Sequence, residues 1–215
     1  MSGAARVMPE TVRIASEGET LLADLYGALP SRRAAVLVHG LNWDASGWRD
    51  VAQLLVARGV PALALNLRGY DGSSGKTNDF APPAPWSPIA DLRAAKALLR
   101  ERGAREIALV GASMGGHAIL ASSFEADVES IVSISAPVTA VPDELSRRVT
   151  GRKLFVCADG DSLGAAPHVV HCFDVVSKPK TLVLFGGSEH SRGMFAAPYG
   201  TEATGAIIDF VARGV

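Results

Sequence analysis

Arg105-Glu-Ile-Ala-Leu-Val-Gly-Ala-Ser-Met-Gly-Gly-His-Ala118 joins an apolar strand to a small-residue helix through a serine flanked by glycines. Residues 107–110 are continuously apolar, the pattern of a central parallel strand covered on both faces. In Gly111-Ala112-Ser113-Met114-Gly115 the chain must reverse from strand to helix. Only residues without bulky side chains fit beside the serine, where the two backbones approach. The turn lifts the Ser113 hydroxyl out of the packing and sets it at a helix N-terminus, where free N–H groups favour negative charge.

Outward from that turn, strands and helices alternate. Residues 11–15 and 20–26 read as an antiparallel pair joined at Glu17-Gly18-Glu19, and Ala34-Ala35-Val36-Leu37-Val38 as a buried strand ending in His39-Gly40-Leu41-Asn42-Trp43-Asp44. A helix is expected from Ser46 to Gly59, with Trp48, Val51, Leu54, Leu55 and Arg58 at helical spacing, then a strand over residues 60–67. Residues 71–87 form a long loop rich in glycine and proline, with Trp86 at its end. Ser87 is the expected N-cap, with Pro88 at the first helical position, of a helix closed by Gly103. Further strands are expected at 130–136, 153–158 and 181–185, and helices at 143–149, 166–176 and 202–212. This alternation predicts an α/β fold of three layers: a mostly parallel central sheet with helices on both faces, and a site beyond the carboxyl ends of the strands.

Composition sets the bounds. A chain of 215 residues, 48% of them hydrophobic, suits one domain spanning 1–215. A net charge of −1 with both signs interspersed gives no footprint for nucleic acid and no polybasic membrane patch. The first residues lack a signal-peptide pattern, and no apolar run approaches a membrane span, so a cytoplasmic location is expected. Cys157 in a strand and Cys172 in a helix read as buried thiols, without metal or redox spacing. The sequence carries no signal of oligomeric state.

A serine hydroxyl needs a base within hydrogen-bond reach and a third group to fix the base's tautomer. His190, in the polar loop after the last strand, is the candidate base. His117 is expected to pack or cap, His39 to serve the backbone, and His168 and His171 to form a solvated pair on one helix face without a third metal ligand. Asp159 and Asp161 both follow the strand at 153–158; Asp161, beyond Gly160, is preferred as the acid, Asp159 is the alternative, and Asp143 ranks third. Donors for a developing oxyanion are the backbone N–H groups of Met114 and Leu41, the latter after Gly40.

With these features the sequence resembles the α/β-hydrolase superfamily over nearly its whole length. The resemblance is carried by His39-Gly40, Asn66-Leu67-Arg68-Gly69-Tyr70 with Ser73, Gly111-Ala112-Ser113-Met114-Gly115, and the order Ser113, Asp161, His190. It implies Ser113 as nucleophile, Asp161 as acid, His190 as base, and Leu41 and Met114 as oxyanion donors. The chain departs from the pattern at Asn66, where many members carry aspartate, and at Asp71, where many carry glycine. A serine nucleophile sets it apart from the similar dehalogenases and epoxide hydrolases, which use aspartate. The implied reaction is hydrolysis of an ester, thioester or related acyl bond of a small molecule, with no cofactor and no metal; the alternatives are a non-catalytic ligand-binding protein of the same fold and an acyltransferase.

The superfamily's cap most often follows the strand that here ends at Pro137, and about 15 residues separate it from the next strand. That leaves no room for a multi-helix lid. The expectation is a capless, open and shallow cleft favouring short acyl chains, like small carboxylesterases and dienelactone-hydrolase-like proteins, with Trp43 and Trp86 as apolar substrate-binding surface.

Overall fold

A computed structural model describes residues 6–79, 86–122 and 128–213. Strands β1 (Glu10–Ser16), β2 (Glu19–Tyr26), β3 (Arg33–Val38), β4 (Ala62–Leu65), β5 (Glu106–Ala112), β6 (Ser130–Ile134), β7 (Arg152–Ala158) and β8 (Lys180–Phe185) form one sheet. Its order is β1-β2-β4-β3-β5-β6-β7-β8; β2 pairs antiparallel with β1 and with β4, and all other pairs are parallel. Helices are α1 (Arg49–Ala57), α2 (Ser87–Glu101), α3 (Met114–Ser122), α4 (Asp143–Ser146), α5 (Ala165–Val175) and α6 (Gly200–Ala212).

The apolar runs are continuous because each inner strand is covered twice. Val36 and Val38 of β3 pack in the layer holding Leu92 and Leu99 of α2, Ile119 of α3 and Val169 of α5. Ala35 and Leu37 of the same strand face the layer of Val51 and Leu55 of α1 and Ile207 and Val211 of α6. The edge hairpin alternates instead: Val12 and Ile14 are buried while their neighbours are exposed. Its turn is Glu17 at φ 46° and Gly18 at φ 86°, a two-residue connection whose backbone twist matches the strands.

The chain leaves β3 toward β4 on one side and later returns to β5 on the other. Loops after β3 and β5 therefore diverge over a crevice at the carboxyl edge, the usual place for a ligand in such sheets.

Several boundaries differ from the sequence reading. The strand expected at 60–67 is confined to β4, because Val60 N–H closes α1 on Leu55 O and Pro61 follows. That at 130–136 stops at Ile134, since Ser135 adopts φ 48° ahead of Pro137. The helix expected from Ser46 begins as a 3-10 turn (Ala45–Trp48), and Leu54 is exposed on its surface. Only four residues of the 143–149 segment are helical. A 3-10 helix, Ser191–Ala196, precedes α6 and was not expected.

Ser87 is not the N-cap of α2. That position belongs to Trp86, and Asn78 supplies the cap from the loop: Ser87 N–H donates to Asn78 Oδ1 at 2.7 Å, and Asn78 N–H donates to Ser87 Oγ at 3.2 Å. The middle of that loop, residues 80–85, lies outside the described residues. No helix among the described residues is long and apolar enough to cross a membrane.

Candidate active site

Packing forces the serine turn. A Cβ on Gly111 would lie 2.4 Å from Gly115 O, and one on Gly115 would lie 2.3 Å from Val38 O. Glycine at both positions lets α3 press its first turn onto the ends of β3 and β5. Ser113 takes φ 54° at the apex, held by its N–H to Ile134 O and by His117 N–H to its own carbonyl, both 2.9 Å. A non-glycine residue in this region carries strain of order 1 kcal/mol or more, which the surrounding packing must hold.

The three residues singled out for chemistry come together. Ser113 Oγ lies 2.8 Å from His190 Nε2, and His190 Nδ1 lies 3.0 and 2.9 Å from the two oxygens of Asp161. Nδ1–H donating to the carboxylate leaves Nε2 as the acceptor of the serine proton. The Asp161 side chain is fully buried and that of His190 is 14% exposed, so little water competes for these bonds.

Asp161 is oriented by its own loop. Its Oδ1 also accepts from Leu163 N–H at 3.0 Å and Ala165 N–H at 3.4 Å, the latter at the start of α5, where the helix dipole favours negative charge. Asp159 is turned elsewhere: its Oδ1 accepts from Gly187 N–H at 3.1 Å, tying the β7 loop to the β8 loop. Asp143 is on α4, bonded to His171 Nε2 at 2.8 Å and to Arg147. His171, its side chain 61% exposed, stays solvated on α5 while pairing with Asp143.

His190 is pinned from both sides by groups the sequence reading missed. Before it, Glu189 Oε2 accepts from Tyr199 O–H at 2.8 Å, and the Tyr199 ring stacks on Phe185 with centroids 4.6 Å apart. After it, Ser191 N–H donates to the buried Ser135 Oγ at 3.0 Å. A polar residue closing an apolar strand was the only signal for Ser135; Tyr199 had none.

Leu41 and Met114 both line the cleft beside Ser113. Met114 opens α3, so its N–H has no acceptor within the helix. Leu41 follows Gly40, whose missing Cβ would otherwise lie 3.3 Å from Ser113 Cβ.

Around this centre His39 and His117 are structural. His39 Nδ1–H donates to Gly40 O at 2.8 Å while Nε2 accepts from Leu67 N–H at 3.2 Å, so the ring bridges two loops, and burial pushes its pKa down. His117 packs edge-on against Trp86, and burial pushes it down to about 4. The buried Cys157 thiol, 3.9 Å from Asp161 Oδ2, is pushed up to about 12 by burial and then by that carboxylate, so it stays protonated. Arg68, at the cleft wall, is committed to the fully buried Asp91 through its backbone N–H at 3.1 Å and its guanidinium at 2.7 Å. Among the described residues no group of three His, Cys, Asp or Glu side chains is arranged to hold a metal ion.

The two departures at Asn66 and Asp71 compensate each other. Asn66 Oδ1 accepts from Ala45 N–H at 2.7 Å, and its amide donates to the Asp71 carboxylate at 3.3 Å. Aspartate at 66 would set two carboxylates against each other.

Trp86, expected as apolar substrate-binding surface, reaches the cleft from within the core. It is 6% exposed in the core, its Nε1–H donating to Asn78 O at 2.8 Å, and contributes only a buried part of the cleft wall. Trp43 remains half-buried on the cleft. The cleft has a volume of about 1030 Å³ and is lined by Leu41 and Trp43 after β3 and by Lys76 to Asp79 after β4, among others.

The α/β hydrolase family model matches residues 35–207, most of the chain, from β3 into α6. The chain belongs to the α/β hydrolase family. An esterase from Pyrococcus furiosus superposes with a TM-score of 0.80 at 18% identity, covering 97% of this chain and 93% of that one. A predicted CIB-like hydrolase from Thermoplasma acidophilum gives 0.79 at 19%, with coverages of 96% and 99%. A Xanthomonas campestris α/β serine hydrolase without lid gives 0.76 at 18%, with 96% and 94%. At these identities the likeness concerns the fold. Between β6 and β7, α4 is the one helix among the described residues.

The buried His117 makes acid stability testable. Its pKa falls from the usual 6.5 to about 4, so between those pH values the unfolded chain binds the proton and the folded one does not. The contribution is present above pH 6.5 and lost as pH falls through about 4, with a span of about 3 kcal/mol. Denaturant titrations from pH 7 to 4 should therefore give a shallower decline for His117→Phe than for the wild type. Parallel declines would mean His117 is protonated when folded.

Proposed function

We propose that the protein is a serine hydrolase that cleaves esters, thioesters or related acyl bonds of small molecules through an acyl-enzyme on Ser113. The observation that carries this reading is the unbroken chain from Ser113 Oγ through His190 to the buried Asp161, opening on a cleft. The names of the similar structures, an esterase and a serine hydrolase without lid, support the same reaction class.

His190 Nε2 takes the Ser113 proton as Oγ attacks the carbonyl, and Asp161 holds the imidazole in the tautomer that makes this possible. The N–H groups of Leu41 and Met114 stabilise the negative oxygen, each contributing on the order of 3 kcal/mol. His190 then protonates the leaving alcohol or thiol, and water repeats the cycle on the acyl-enzyme. Every proton and electron pair moves between side chains, substrate and water, so the proposed cycle runs without a cofactor.

Rates on chromogenic esters of increasing acyl length, taken below and above the concentration at which each aggregates, test the reading. Hydrolysis without a jump at aggregation is expected, because nothing between β6 and β7 forms a lid to be displaced. Absence of turnover on every ester by a folded protein would overturn the enzymatic reading. A jump at aggregation would show that some loop acts as a lid.

A further inference from the structure

Trp43 lies in a slot that two glycines leave for it. A Cβ on Gly40 would sit 2.6 Å from Trp43 Nε1, and one on Gly47 would sit 2.3 Å from its Cε3. The ring packs against Trp48 with centroids 5.1 Å apart, meets the edge of His39 at 6.3 Å, and carries the Arg192 guanidinium over its face at 5.8 Å. Two aromatic contacts and a cation over the ring leave the indole one orientation.

That orientation brings the indole N–H to the nucleophile. The point beside Gly40 that is 2.6 Å from Trp43 Nε1 is also 3.3 Å from Ser113 Cβ, so the two atoms are less than about 6 Å apart. Among the described residues no acceptor meets this N–H, and unlike the N–H of Trp48 it is not sealed from solvent; Trp43 lines the cleft. An oxygen on a carbon bonded to Ser113 Oγ lies about 3 Å from Cβ, and one hydrogen-bonded to an N–H lies about 3 Å from the nitrogen. Those two spans together are long enough to bridge the separation.

We propose that the Trp43 indole N–H is a third donor to the oxyanion, beside the backbone N–H groups of Leu41 and Met114; the inference rests on the serine-hydrolase reading. As the Ser113 Oγ–carbon bond forms, the carbonyl π pair moves onto oxygen and the hydroxyl proton passes to His190. Charge on that oxygen is then shared among three N–H donors. On collapse the pair returns, the bond to the leaving alcohol breaks, and His190 supplies the alcohol's proton. A side-chain donor held by packing is preorganised in the same way as a backbone one.

A trifluoromethyl ketone, whose carbonyl takes up Ser113 Oγ and holds a hemiketal oxyanion, is the probe. In the wild-type protein the Trp43 indole proton, one of three indole signals, should shift downfield when the adduct forms, with adduct formation followed independently by fluorine resonance. Trp43→Phe should lower kcat on a short ester by about 10- to 100-fold with KM within about twofold, and raise the ketone's inhibition constant in parallel. An adduct that leaves the Trp43 indole signal unmoved overturns this inference alone, whatever the variant does. A Trp43→Phe enzyme that keeps wild-type kcat also overturns it. If no adduct forms at all, the serine-hydrolase reading fails and takes this one with it.

Discussion

Ser113→Ala and His190→Ala should each lower kcat on a short-chain ester by roughly five to six orders of magnitude, and the double mutant should be little worse than either single one. The reason is geometric. At 2.8 Å the hydroxyl and imidazole form one proton-transfer unit, so removing either half removes the whole step. What rate survives comes from the oxyanion donors and from binding. Neither side chain packs a core layer, so melting temperatures should stay within a few degrees of wild type, about the shift of 1 kcal/mol or less. Losses that multiply in the double mutant would show two independent contributions and break the assignment.

The two aspartates of the β7 loop should separate just as sharply. Asp161→Asn should lower kcat about 10⁴-fold, because an amide beside Nδ1 favours the imidazole tautomer with its proton on Nε2, facing the serine. The variant should still fold, since the amide oxygen can keep accepting from Leu163 and Ala165 N–H. Asp159→Asn should change kcat less than about tenfold: its Oδ1 accepts from Gly187 N–H, a bond that asparagine can also make. Parallel kinetics and melting curves for both variants check this, and a larger loss for Asp159→Asn would move the acid to that residue.

Those aspartates mark where sequence reading ran out. Both sit two residues apart in one loop, and only the hydrogen bonds of Gly187, Leu163 and Ala165, made by a neighbouring loop and helix, decide which one meets His190. The strand-turn-helix around Ser113 was legible for the opposite reason. Its constraints are local: Gly111 and Gly115 touch backbone within a few residues or at the adjoining strand end, so residue type alone reports them.

Long-range capping was not legible. Ser87 satisfied every local rule for an N-cap, yet Asn78 from the preceding loop takes that role. The burial of Trp86 was not legible either, because tryptophan serves equally as pocket surface and as core; its place depends on where the loop carries it, and its N–H meets Asn78 O. Asn66 and Asp71 looked like two separate departures, and only their contact explains them as a pair.

The central claim is that Ser113 is a nucleophile activated by His190. Treatment with a fluorophosphonate probe, followed by intact-mass and peptide mapping, tests it most directly. One adduct on the peptide containing Ser113, lost in Ser113→Ala and much slower in His190→Ala, is the expected result. An unlabelled but folded wild-type protein, or label that persists in Ser113→Ala, would contradict it.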